Sequence, residues 1–104
     1  MTTNILTIDQ VRKALYLDDD HDVEELEEYS RIASSFIKQK TGYDFAKDTE
    51  IEPLAIQCAK LYIRQTHFGS EGYNKEHDYN LGINGLIVDL QIIAKKKLEA
   101  EGLS

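Results

Sequence analysis

The stretch "PLAIQCAKLYIRQT", residues 53–66, does most to limit what this chain can become. Leu54, Ala55, Cys58, Ala59, Leu61, Tyr62 and Ile63 cover more than half the circumference of a helix. A helix apolar over so wide an arc needs neighbours on several sides. Pro53 suits the first helical position, where its missing N–H would have had no partner. The expectation is a central helix over 53–67 with other helices packed around it. At about 1.5–3 kcal/mol for each large apolar side chain fully buried, Leu54, Leu61, Tyr62 and Ile63 should dominate the core.

The flanking segments share this periodicity. Thr7 with Gln10 has the spacing of a capping box, and Leu6 with Val11 that of a hydrophobic staple. A short helix is thus predicted from Ile8 to about Tyr16 or Leu17, with Val11, Ala14 and Leu15 inward. A second helix is predicted from an Asp22 cap to Gly42, with Val23, Leu26, Tyr29, Ala33, Phe36 and Ile37 as its apolar stripe. From Phe68 to Gly85 the period is lost, and four of the six glycines fall there. The segment reads as a long loop, a kind usually given to function. Asn84 then caps a last helix, with Leu86, Leu90, Ile93, Ala94 and Leu98 inward and Lys95, Lys96 and Lys97 at its negative end. The fold class is all-α: about four helices around the central one, with a glycine-rich loop, 68–85, before the last. At 104 residues the chain reads as a single domain, 1–104.

Its charge is concentrated. "DDDHDVEELEE", residues 18–28, holds eight of the nineteen acids and no Lys or Arg, while the rest of the chain is close to neutral. A general affinity for nucleic-acid phosphates needs clustered bases and is not expected. Asp18, Asp20 and Asp22 have the opening spacing of a calcium loop, but Val23 stands where that loop needs Gly and Tyr29 where it needs Glu. The run reads as a helix cap and an acidic surface, with Asp18, Asp19, Asp20, Asp22, Glu24 and Glu25 as candidate channel or interface residues.

The remaining motifs carry no chemistry. His67 and His77 match no zinc spacing, and Cys58, among apolar neighbours, reads as an inert core thiol. The glycines form no P-loop. The chain is therefore expected not to be an enzyme, with no cofactor and no metal. Phe68, Tyr73, Tyr79 and Leu81, apolar in a polar segment, are either folded back or offered as a partner-contact loop. The amino-terminal residues lack the pattern of a signal peptide and no run approaches a membrane span, which predicts folding in a cytoplasm and no membrane partner.

Taken in order, "ILTIDQVRKALYLDDDHDVEELEEYSRIASSFIKQKTGYDF" resembles the first half of head–tail connector proteins of long-tailed double-stranded DNA phages. That family opens with a short capped helix and an Asp-rich turn. A long helix follows and ends in Thr-Gly-x-x-Phe, matched by Thr41, Gly42 and Phe45; then comes a Pro-initiated apolar helix, matched by Pro53 to Thr66. A variable polar loop leads to a last helix through an apolar-x-Gly turn, matched by Ile83, Asn84 and Gly85. This chain has no proline before that turn, and it carries a Lys triplet near its end.

The resemblance implies a structural, non-enzymatic subunit of a virion or prophage. Copies would form a homo-oligomeric ring beneath the portal protein, following its twelve-fold symmetry as a closed head-to-tail assembly. That adaptor ring would complete the head after DNA packaging, extend the DNA channel without binding DNA specifically, and dock a stopper or tail-completion protein. Its place would be the host cytoplasm during synthesis and the head–tail junction after virion assembly. The competing expectation is a small acidic regulatory or binding module that engages one basic partner.

Overall fold

The structure of the chain, a computed structural model, describes residues 4–68 and 73–102, with the side chains of 68 and 73–81 left aside. Four α-helices and one 3-10 turn follow in order, α1 Ile8–Ala14, α2 Val23–Thr41, the turn Phe45–Lys47, α3 Pro53–Phe68 and α4 Tyr73–Ala100. There is no strand among the described residues, and the fold is all-α.

The start of α1 follows from its sequence. Thr7 Oγ1 accepts from Gln10 N at 3.1 Å, and Thr7 N donates to Gln10 Oε1 at 2.8 Å, both halves of a capping box. Leu6 and Val11 are buried together. Its end was less predictable. Tyr16 N donates to Lys13 O and Leu17 N to Arg12 O, the paired bonds of a Schellman motif, which places Tyr16 where glycine is usual. Tyr16 has φ 58 and is 79% exposed. A left-handed residue with a Cβ costs about 1–2 kcal/mol, only partly offset by an exposed cation–π contact of about 0.5 kcal/mol with the Arg64 guanidinium 6.0 Å away. Replacing Tyr16 with glycine should raise the unfolding free energy by about 0.5–1 kcal/mol, read from the urea midpoint at unchanged m value.

Helix α2 is capped by Asp22, whose carboxylate accepts from Glu24 N at 3.1 Å. Leu26, Ala33 and Ile37 are fully buried. Val23, expected on the same stripe, is 49% exposed at the first helical position, ahead of the first buried turn at Leu26. Two serines also face inward. Ser30 donates to Leu6 O at 2.6 Å and Ser34 accepts from Ile5 N at 2.8 Å, so one turn of α2 satisfies the backbone of the incoming chain.

Every residue of "TGYDF" has a structural task. Thr41 Oγ1 donates to Ile37 O and accepts from Tyr43 N, Gly42 takes the left-handed cap at φ 78, and Asp44 caps the 3-10 turn. Phe45 is completely buried. Tyr43 donates to Asp48 at 2.6 Å, Lys97 of α4 pairs with Asp48 at 3.1 Å, and Lys47 pairs with Glu101 at 3.1 Å. This network fastens the end of α4 to the end of α2.

Burial alone would raise the Asp48 carboxyl, but the Tyr43 hydrogen bond and the Lys97 and Lys47 charges outweigh it and hold it below the usual carboxylate range. A carboxylate depressed in the folded state stabilises the fold above its unfolded value, and that contribution is lost as pH falls through the folded value. The unfolding free energy should therefore decline below about pH 4. Asp48→Asn should flatten that decline in urea titrations run at neutral and acid pH.

Helix α3 is central as expected, packed against α1, α2 and α4, but apart from Ile63 its innermost residues are small. Ala55, Cys58, Ala59 and Ile63 are completely buried. Leu54, Leu61 and Tyr62, expected to dominate the core, are only partly buried. Small side chains on the inner face let neighbouring helices approach closely, and the larger ones fill the flanks. Tyr62 there stacks on Phe36 of α2 at 4.1 Å.

The largest departure concerns 68–85. From Tyr73 onward the segment is helix, continuous to Ala100, so the expected loop and the expected Asn84 cap are both corrected; residues 69–72 lie outside the described residues. Ile83 and Ile87 are buried in register with Leu90 and Ala94, which carries the inner stripe a turn upstream of Leu86. Leu86, Ile93 and Leu98 flank it, partly buried. Gly82 faces α3, where a Cβ would meet Leu61 Cδ1 at 3.4 Å.

A candidate acidic docking surface

The acidic run occupies the α1–α2 connection and the first turns of α2. Asp18, Asp19, Asp20, Asp22, Glu24, Glu25, Glu27 and Glu28 are all exposed. Among the described residues, none of them pairs with a lysine or arginine. The one ion-pair contact in the run among the described residues is His21 Nε2 with Glu25 Oε2 at 3.1 Å. Asp22 is occupied with its cap, and no three His, Cys, Asp or Glu side chains converge as a metal site among the described residues. Geometrically the run is an exposed band of carboxylates with no lysine or arginine counter-ion among the described residues.

Beside it lies a groove of about 260 Å³ lined by Glu25, Glu28, Tyr29 and Ile32. Tyr29 forms its wall toward α3, with its hydroxyl 2.9 Å from His67 Nδ1 and the two rings edge to face at 5.6 Å. Burial, and then Glu25 and Glu28, push the Tyr29 phenol up, so it stays neutral. The groove combines an apolar floor with an acidic rim, a chemistry suited to an aliphatic side chain ending in a cation.

Two further candidates resolve differently. Cys58 is completely buried, and burial pushes its thiol up to about 11, so little reactive thiolate exists at neutral pH. The side chains of Phe68, Tyr73, Tyr79, Leu81 and His77 lie outside the described residues, although the backbone from Tyr73 on is helical.

Sequence reasoning missed a set of exposed apolar residues. Tyr16, Val23, Ile32, Val88 and Ile92 are large apolar side chains left at the surface. Ile32 falls off the inner stripe of α2, and Val88 and Ile92 fall off that of α4. An apolar residue out of phase with its own helix was the available signal.

Among the described residues no helix is long and apolar enough to cross a membrane. Comparison with family models, with curated proteins and with solved structures returns no match for this chain.

Proposed function

We propose that this chain is a ring-forming structural subunit, a head–tail connector of a long-tailed phage or prophage that sits under a portal and extends its DNA channel. The exposed band of eight carboxylates, none paired with a lysine or arginine among the described residues, carries this reading. A conduit must let DNA pass without holding it, and fixed negative charge lines such a passage well because it repels phosphate. The small helical fold and the fully used "TGYDF" turn are in keeping with the connector pattern. Portal and stopper or tail-completion proteins are the partners this role requires.

The groove beside the band favours a second reading, a non-enzymatic module binding one basic partner. Negative-stain imaging of the protein alone and with portal rings from the same genome separates the two. Rings, alone or stacked on portals, are the expected result. No ring and no portal binding well above micromolar concentration would leave the single-partner module.

A further inference from the structure

The chain carries both halves of a contact that it cannot make with itself. One half is the α2 groove, with Ile32 and Tyr29 inside and Glu25 and Glu28 on its rim. The other is the outer face of α4. Val88 is 55% and Ile92 53% exposed, one turn apart, and Lys95 and Lys96 extend the same face by another turn. Neither lysine has an ion pair among the described residues, whereas Lys97 is held by Asp48. An exposed apolar pair beside cations matches, in shape and in sign, an apolar groove rimmed by exposed carboxylates that no lysine or arginine holds among the described residues.

The groove runs from the first turns of α2 to its middle, and the stripe lies beside its last turn. Gln91 Nε2 donates to Lys40 O at 3.0 Å, and Lys97 on Asp48 fixes the following turns of α4 beside the 3-10 turn. Lys40 lies eight residues beyond Ile32 and fifteen beyond Glu25, about 12 and 22 Å along a helix rising 1.5 Å per residue. Both lie on helices fixed in one bundle, so the stripe cannot seat in the groove of its own molecule.

We propose that the α4 stripe of one copy seats in the α2 groove of a second. Val88 and Ile92 pack on Ile32 and Tyr29, and the Lys95 and Lys96 ammonium groups meet Glu25 and Glu28. The contact is head-to-tail, so each copy keeps one free groove and one free stripe and can continue into a closed ring. It gives the proposed ring its subunit interface, and so rests on the ring-forming reading. It also leaves Asp18, Asp19 and Asp20 outside the contact, free to face the channel. A small patch depending on charge should associate weakly and lose strength in salt.

The test is sedimentation equilibrium of the full chain from roughly 10 µM to 1 mM in low salt, repeated in about 0.5 M salt. Average mass should rise with concentration in low salt and much less in high salt. Glu25→Lys with Glu28→Lys, and separately Lys95→Glu with Lys96→Glu, should each weaken association roughly tenfold or more. An equal mixture of the two variants restores opposite charge at every contact and should associate again.

Variants that associate like the wild type, or a mixture that stays monomeric, would overturn the assignment. So would a wild type that is monomeric throughout. If that monomer still binds a synthetic peptide of residues 84–98, the occupant is a basic helix of another protein. Rings seen on portals despite such a result would keep the connector reading while removing this contact, and their absence would remove both.

Discussion

Replacing Phe45 with alanine should cost about 3–5 kcal/mol, the largest effect of any single side chain considered. Phe45 is completely buried although it lies in a three-residue turn. Its ring meets Tyr43 edge to face at 4.9 Å, so truncation removes a buried aromatic and leaves a second one with an open face. Tyr43 is the hub of the network that reaches Asp48 and Glu101, and the damage should spread to the anchoring of α4. Domains of this size are stable by about 5–15 kcal/mol, so the variant should be near the edge of folding at body temperature. Urea denaturation followed by circular dichroism gives the value. Phe36→Ala is the control: Phe36 is only partly buried against Tyr62 and should cost clearly less. A Phe45→Ala loss below about 1 kcal/mol would show that the turn is peripheral to the core.

Much of this fold could be seen in the sequence, and the reasons differ by element. Most signals that act within a few residues transferred faithfully, the Asn84 cap and the glycines before it being the exceptions. The Thr7–Gln10 box, the Asp22 cap, Gly42 at the end of α2 and Pro53 at the start of α3 all work through neighbouring backbone groups. Signals that depend on a distant partner did not. Which residues of α3 are innermost depends on how closely α2 and α4 approach, and the choice of Ala55, Cys58 and Ala59 over Leu54 and Leu61 is a property of that approach. Ser30 and Ser34 gave no sign that they would hold the backbone of Ile5 and Leu6, because that pairing spans more than twenty residues. Tyr16 shows the same limit from the other side. A Schellman turn was legible only through glycine, and here a tyrosine occupies it.

The candidate site was half legible. The acidic run was evident from composition, and its exposure follows from charge. The groove was not, since its wall depends on Tyr29 reaching His67 across two helices. Exposed apolar residues gain meaning only once the core is known, which is why Val88 and Ile92 emerge from the structure and not from the sequence. With both in view, the acidic end of the chain divides into two parts. Asp18 to Asp20 form a bare charged rim, while Glu25 and Glu28 flank a place where another side chain fits.

Converting both Gly82 and Gly85 to alanine should stabilise the protein by up to about 2 kcal/mol, since each glycine inside a helix costs nearly 1 kcal/mol relative to alanine. The segment that looked like a loop makes this informative. In an irregular loop, alanine at either position would gain little, and at a left-handed position it would be harmful. Within α4, neither glycine has a positive φ among the described residues. A Cβ at Gly85 would meet nothing within 4 Å, and at Gly82 it would touch the flexible end of Leu61 at an ordinary 3.4 Å. Gly85→Ala alone should therefore raise stability by about 0.8–1 kcal/mol. The second substitution should add slightly less, because Leu61 must keep its rotamer. Larger residues at Gly82 should reverse the gain: Gly82→Leu would crowd Leu61 of α3, push the two helices apart there and loosen Ile83 and Ile87 in the core. Urea midpoints for the two single variants and the double variant, compared at equal m value, settle the matter. Additive gains would establish that α4 is helical through this segment, and a loss in Gly82→Leu that position 82 faces packed neighbours. No gain from Gly85→Ala would return the segment to the loop that its composition suggested.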